Sequence, residues 1–148
     1  PSPGPAPEHR DTRFVTEVIE LNYRETIIAR LVAERAATAE VKTLARQLAS
    51  DFGNASRELR ALAEKKHIVL PEAHGEAGDL KSWNERSSAE VDAAYVRRAR
   101  ATLDDLAARY ARAVEKSADP ELAAFARKIL AAVQEQQRRA AQPVPASR

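Results

Sequence analysis

The sequence predicts an all-α domain folded as a four-helix bundle, and three observations support this. Ala, Arg, Glu and Leu are abundant, whereas aromatic residues make up 5% and there are only four glycines. Apolar residues recur every three or four positions in four long stretches, and capping signals separate the stretches. A chain of 148 residues is long enough to bury one core. We therefore expect a bundle over residues 11–142, a disordered Pro-rich leader at 1–10 and a loose tail at 143–148.

The first predicted helix covers residues 11–36 and carries a carboxylate where an apolar residue is expected. Its inward-facing stripe keeps a spacing of three and four and comprises Phe14, Val18, Leu21, Glu25, Ile28 and Val32. A carboxylate at such a position ligates a metal, pairs with a neighbour or is a tolerated polar core residue. The rest of the chain has to decide among these three roles for Glu25.

The second predicted helix begins after Thr38, which can serve as its N-cap, and extends to about Lys66. Its predicted stripe comprises Val41, Leu44 or Ala45, Leu48, Phe52, Ala55, Leu59 and Leu62. Gly53 lies inside this helix at a cost of about 1 kcal/mol relative to alanine. We expect that it permits the close approach of another helix.

Residues 67–86 interrupt the helical pattern, and Pro71 and Gly75 punctuate them. The segment is too long for a simple turn between antiparallel neighbours. We interpret it as a crossover along the bundle, which makes helices two and three parallel. Leu80 and Trp83 are expected to hold a short helical piece of it against the core.

Ser87-Ser88-Ala89-Glu90 has the spacing of a capping box and opens the third long helix. Asp119 followed by Pro120 opens the fourth, because it places a cap before a proline at the first helical position. The two stripes comprise Val91, Tyr95, Val96, Ala99, Leu103, Leu106, Tyr110 and Val114, then Leu122, Phe125, Ile129, Val133, Gln136 and Ala140. Residues 40–48 and 121–129 resemble each other, and two similar hairpins joined by a long crossover are typical of ferritin-like bundles.

Composition excludes several classes of function. Without cysteine there can be no disulfide, thiolate metal site or cysteine nucleophile. The net charge of +2 is too small to indicate nucleic-acid binding, and no apolar run has the length of a membrane span. Residues 95–148 are richer in basic than in acidic groups, which leaves open a surface for anionic polymers or membranes at Arg97, Arg98, Arg100, Arg109 and Arg112. Solvated helix faces are the simpler interpretation.

Five segments in this order and spacing resemble a bacterial family called domain of unknown function 4142. They are Phe14-Val15, residues 40–46 (EVKTLAR), residues 58–66 (ELRALAEKK) followed by Leu70-Pro71, residues 88–95 (SAEVDAAY) and residues 119–126 (DPELAAFA). The resemblance implies a ferritin-like fold and an exported protein, periplasmic or associated with the outer membrane, with no established activity. The Pro-rich start without methionine agrees with a mature or trimmed chain whose signal peptide is absent. A lipid anchor upstream is compatible with this location.

Members of that family commonly carry histidines inside the bundle, and the resemblance places Phe52, Leu103 and Gln136 at those positions. The acid of helix one that is common in the family corresponds to Glu25. We expect Glu25 to be a polar remnant that is held by hydrogen bonds or bent to solvent. Its candidate donors are Gln136, Tyr95, Tyr110 or an arginine.

The residues also argue against a di-metal centre. Such a site needs Glu-x-x-His pairs on facing helices, and no Glu-x-x-His occurs in the sequence. The leading hypothesis is thus a non-enzymatic envelope protein that has no cofactor and that binds another envelope protein or component. The sequence does not indicate its oligomeric state. The alternatives are a metal-binding or oxidative protein that uses the carboxylates of Glu25, Asp51 and Asp104, and the anionic-polymer binder described above.

Overall fold

The structure, a computed structural model, describes residues 7–70 and 77–142, with side chains at 10–70 and 80–142. This part of the chain is all-helical, which confirms the predicted class. It forms five helices: α1 (Pro7–Arg35), α2 (Ala39–Lys65), α3 (Ala77–Glu85), α4 (Ser88–Lys116) and α5 (Pro120–Ala141). Four of them are the predicted long helices, and α3 is the short helical piece expected within residues 67–86.

Helix α1 begins earlier than the sequence predicted. It starts at Pro7, so residues 7–10, assigned to the disordered leader, are helical. Proline is tolerated in a first turn because the N–H that it lacks has no intrahelical partner there. The remaining leader residues, 1–6, and the predicted tail, 143–148, lie outside the described residues.

The other three long helices begin at their predicted caps. The Thr38 hydroxyl accepts a hydrogen bond from the backbone N–H of Val41 at 3.3 Å, and the Ser87 hydroxyl accepts one from Glu90 at 3.3 Å. The Asp119 carboxylate accepts from two N–H groups of the first turn of α5, at 2.9 and 3.3 Å. Short polar side chains thus satisfy backbone donors that have no partner within the helix.

Three helix pairs account for most of the packing: α1 with α2, α4 with α5, and α1 with α4; the pairs α2 with α5, α1 with α3 and α2 with α4 contribute less. Contacts between α1 and α4 run in opposite chain directions: Asp11–Ser117, Glu17–Arg109 and Glu25–Arg98. Those between α2 and α5 do the same: Lys65–Glu121, Glu58–Lys128 and Asp51–Gln136. Both pairs are therefore antiparallel.

The core between these helices is mostly hydrocarbon, with a small polar part. Tyr110 is the largest fully buried side chain, and its ring meets Phe14 and Phe125 edge-on at centroid distances of 5.7 and 6.3 Å. The predicted stripes are largely buried; in α2 the buried member of the predicted choice is Ala45, whereas Leu44 is half-buried. Within residues 10–70 and 80–142 the buried polar residues are Asn22, Glu25, Thr26, Ser56, Thr102 and Gln136.

The expected role of Gly53 is wrong. A Cβ atom at this position would meet only the side-chain Nη1 of Arg57, at 3.7 Å. No neighbouring helix comes close enough to require a glycine. The residue therefore carries a helix-propensity cost without a packing reason in the structure.

Helix α3 is fastened to the core as predicted for the segment around Trp83. The Trp83 indole is 4% exposed and meets Tyr95 edge-on at 6.1 Å. The Arg35 guanidinium donates to the backbone carbonyls of Trp83 and Arg86 at 2.5 and 2.6 Å. The Arg86 guanidinium lies 4.4 Å from the centre of the indole ring. Pro71 and Gly75 lie outside the described residues.

Candidate functional site

Glu25, the acid of the α1 stripe, is buried and fully engaged by α4. Its side chain is 5% exposed. The Nε–H of Arg98 donates to both carboxylate oxygens, with distances of 2.9 Å to Oε1 and 3.0 Å to Oε2. The Thr102 hydroxyl, one turn further along α4, donates to Oε1 at 2.6 Å. The acid therefore joins α1 to α4 by a charge-assisted contact.

The surroundings of the Glu25–Arg98 pair are buried on the side of Glu25 and open to water on the side of Arg98. Tyr95 is buried beside it, and its pKa is raised, first by burial and further by the negative charge of Glu25, while Arg98 opposes the shift. The Arg98 side chain is 30% exposed. One end of the pair thus reaches water while the carboxylate does not, an arrangement that leaves Glu25 dependent on its arginine.

The structure does not bring Gln136 to Glu25, although the sequence placed the two together as a polar core site. The Gln136 Nε2 instead donates to Oδ2 of Asp51, across the interface of α2 and α5, at 2.6 Å. Its Oε1 is buried and has no hydrogen-bond partner. The two predicted polar residues consequently belong to separate places, one between α1 and α4 and the other between α2 and α5.

Gln136 lines a pocket that the sequence did not predict, which we call the α2–α5 pocket. Its volume is about 140 Å³. Twelve residues from four helices line it: Asn22, Asp51, Phe52, Asn54, Ala55, Glu58, Leu106, Tyr110, Ile129, Ala132, Val133 and Gln136. Buried apolar side chains form its inner part, and exposed residues of α2 and α5 form its rim.

The buried inner wall of this pocket carries an amide and a phenol. Asn22 is 1% exposed, and its Nδ2 lies 3.5 Å from the Tyr110 hydroxyl. Burial raises the pKa of Tyr110 to about 12, against a smaller opposing effect of the Asn22 hydrogen bond. At neutral pH the phenol therefore keeps its proton and can act as a hydrogen-bond donor.

The three positions at which the resemblance implied lost histidines differ in their surroundings. Phe52 and Gln136 both line the α2–α5 pocket. Leu103 is fully buried and is not among the residues that line it. Hydrocarbon therefore fills the position on α4, whereas the positions on α2 and α5 border an open space.

The carboxylates considered for a metal centre do not form one in the described part of the chain. Glu25 is bound by Arg98, Asp51 accepts from Gln136, and Asp104 accepts from Gln137 at 2.8 Å. Among the described residues no group of three or more His, Cys, Asp and Glu side chains is placed to hold an ion. The donor set therefore does not fit the di-metal alternative, which needs ligands that converge from facing helices.

Of the five arginines proposed as a basic surface, three are engaged by neighbouring groups. Arg98 pairs with Glu25, and the Arg100 Nε donates to the backbone carbonyl of Ala140 at 2.7 Å. Arg109 binds Glu17 and Asp105 at 2.5 and 3.0 Å. Arg97 and Arg112 are exposed, and Arg100 is exposed despite its contact with Ala140. Three of the five side chains thus make intramolecular contacts, and three of the five are exposed.

Sequence reasoning missed two features of these places. Asn22 is buried, although the predicted stripe of the first helix does not include it; its spacing of four from Val18 and three from Glu25 was the available signal. An arginine was among the expected donors to Glu25, and the structure confirms one. That it is Arg98 had no signal along the chain, because the pairing depends on the register between α1 and α4.

Similarity to known proteins informs on the fold of this chain and not on its activity. Comparison with curated proteins gave no match. A crystal structure of a conserved hypothetical protein, rv2844, from Mycobacterium tuberculosis is similar, with a TM-score of 0.74 at 15% sequence identity over 96% of this chain and 99% of that chain. At that identity the similarity shows a shared fold alone.

None of the described helices has an apolar stretch long enough to cross a membrane. A family model matches residues 1–142, which confirms the resemblance found in the ordered segments. The chain therefore belongs to the family described as domain of unknown function DUF4142.

Proposed function

We propose that this chain is a non-catalytic binding protein of the bacterial envelope, built on a ferritin-like four-helix bundle. The observation that carries the non-catalytic part is the state of Glu25. Both of its oxygens accept hydrogen bonds from Arg98 or Thr102. A carboxylate held in this way does not face the α2–α5 pocket and has no position from which to take a proton from a bound substrate.

The ferritin-like part of the proposal is supported by the chain directions. Helix α1 is antiparallel to α4, and α2 is antiparallel to α5. Short joints connect α1 to α2 and α4 to α5, so each of these pairs is a hairpin. With these directions α2 and α4 run parallel. Two hairpins arranged in this way support a ferritin-like fold with one long crossover.

Metal loading of the purified protein tests the non-catalytic role. The chain is incubated anaerobically with excess Fe²⁺ or Mn²⁺ and dialysed, and its metal content is measured. We expect well below one ion per chain, and the same content for Glu25→Gln as for the matched surface variant Glu20→Gln. Retention of one or two ions per chain, lost in Glu25→Gln alone, contradicts the proposal.

Cell fractionation tests the proposed location. The complete gene, with a C-terminal tag, is expressed in its source bacterium, and the periplasmic, membrane and cytoplasmic fractions are compared by immunoblot. The expected signal lies in the periplasmic or outer-membrane fraction, because the family resemblance implies export. A signal confined to the cytoplasmic fraction, with marker proteins correctly separated, contradicts the location and leaves the binding role to be judged separately.

A further inference from the structure

The α2–α5 pocket combines an apolar interior with a polar rim, as small-molecule sites do. Phe52 and Leu106 are buried against its inner part, at 4% and 1% exposure. Glu58 and Ala132 are exposed at its rim. Its volume of about 140 Å³ is close to that of a cavity that holds benzene, roughly 150 Å³. A ligand of about four to six carbons therefore matches it in size.

The orientation of the Gln136 amide is fixed, and it leaves one acceptor without a donor. Its Nε2 donates to Asp51 at 2.6 Å, so a flipped amide would set an oxygen against a carboxylate oxygen. The residue is 7% exposed, and its Oε1 has no hydrogen-bond partner in the structure. Buried acceptors in native proteins nearly always meet a donor. The oxygen is closed off from the pocket as well as from solvent, so a ligand in the pocket meets Asp51 rather than this atom.

The charge of the lining selects the kind of donor. The twelve lining residues include two carboxylates, those of Asp51 and Glu58, and no Lys, Arg or His. Lys128, outside the lining, binds Glu58 at 2.6 Å and balances that charge at the rim. Among the described side chains, the neutral amide of Gln136 is the one that donates a hydrogen bond to Asp51. The uncompensated charge of the pocket is therefore negative and lies at Asp51.

We propose that the α2–α5 pocket binds a small organic ammonium compound. Its cationic head pairs with the Asp51 carboxylate, and a short hydrocarbon body contacts Phe52 and Leu106. The head supplies the positive charge and the donors that the polar side of the pocket lacks. The hydrocarbon body leaves water when it enters the apolar interior. This inference rests on the proposed binding role and specifies the ligand class of one site.

The test is a titration of the ¹⁵N-labelled full chain, followed by backbone amide shifts, in phosphate buffer free of amines. The probes are isobutylammonium, isobutanol and isobutyrate, which share a carbon skeleton and differ in charge. We expect saturable shifts around residues 51–58 and 129–136 with isobutylammonium. Isobutanol should bind at least roughly tenfold more weakly, since it lacks the charge, and isobutyrate should give no saturable shift.

Three variants make the test specific. Asp51→Asn keeps the shape and removes the charge, and Ala132→Leu fills the pocket from an exposed position; each should weaken isobutylammonium binding at least roughly tenfold. Glu20→Gln removes an exposed carboxylate of α1 outside the pocket lining and should bind as the parent does. The dispersed amide spectrum of each variant reports that it is folded.

Equal affinity for isobutylammonium and isobutanol overturns the proposal. So does the absence of saturable shifts, or undiminished binding in Asp51→Asn. A negative titration would refute the ligand class alone. The proposed function is tested separately, by metal content and by cell fractionation.

Discussion

Replacing Arg98 by leucine should destabilise the fold far more than replacing Glu25, although both changes break the same ion pair. Arg98→Leu leaves a buried carboxylate, 5% exposed, with Thr102 as its remaining donor. Glu25→Leu leaves an arginine that is already 30% exposed and can turn to water. The two partners therefore differ in what their removal leaves behind.

The magnitude follows from the geometry of the pair. Two unit charges about 4 Å apart attract by about 4 kcal/mol at an effective dielectric constant of about 20. Breaking a fully buried pair from one side costs about 3–5 kcal/mol. Because Arg98 is 30% exposed, water replaces part of the lost attraction, and we expect Arg98→Leu to cost about 2–3 kcal/mol.

The complementary variant should cost much less. Glu25→Leu exchanges a buried charge for hydrocarbon, and the Thr102 hydroxyl can turn to the carbonyl of the preceding turn. We expect a change of about 0–1 kcal/mol. The double variant should also lie within about 1 kcal/mol of the parent, which corresponds to a coupling energy of about 2 kcal/mol.

The assay is urea unfolding at pH 7 of the parent, the two single variants and the double variant, with the slope of each transition checked for constancy. The control is Arg97→Leu, an exposed neighbour on the same helix, which should change stability by less than about 0.5 kcal/mol. A cost below about 1 kcal/mol for Arg98→Leu would place the contact among surface pairs and refute the reasoning. An equal cost for Glu25→Leu would refute it as well.

Three further predictions concern helix propensity and caps. Gly53→Ala should raise the free energy of unfolding by about 0.5–1 kcal/mol, because an added Cβ meets only Arg57 at 3.7 Å. Thermal unfolding measures the change, and a loss of stability would reveal a close contact at this position. Asp92→Ala should lower the free energy of unfolding in urea by about 2 kcal/mol, because Asp92 accepts three hydrogen bonds at 2.7–3.0 Å from the joint before α2. A cost under about 0.5 kcal/mol would show that these hydrogen bonds do not stabilise the joint. Asp119→Ala should cost about 1 kcal/mol at pH 7. Burial raises the pKa of Asp119, but contacts with Lys66 and the N–H groups of α5 outweigh it and hold the pKa below its ordinary 3.8. Its stabilisation is therefore present above pH 3.8 and is lost as the pH falls through the lowered pKa, so the gap between parent and variant should narrow in acid; a constant gap would contradict the assignment.

The helices and their starts could be predicted because their causes are local. Thr38, Ser87 and Asp119 cap helices through backbone groups two or three residues away, so the signal lies within one turn of sequence. The apolar stripes follow from the helical repeat, which also placed Glu25 among buried residues. The early start of α1 at Pro7 was missed because proline fits both a leader and a first helical turn.

The candidate site could not be predicted in the same way. Residues on one helix recur at a known period, but the partner of a residue on another helix depends on how far one helix slides along the other. Of the candidate donors to Glu25, Gln136 contacts Asp51 instead. The unspecified arginine proves to be Arg98, and Thr102, which was not expected, also donates to Glu25. The α2–α5 pocket is likewise a property of imperfect packing among four helices, which no single stripe describes.

The sequence by itself determined the helical class of this protein, the positions of its caps, the carboxylate inside its first stripe and its membership of the DUF4142 family. These follow from short-range geometry and from the order of segments along the chain. The tertiary structure alone decided that the carboxylate is held by an arginine and that Gln136 borders an open pocket with one acceptor unmet. Both depend on helix register, which is set by the packing of all four long helices together.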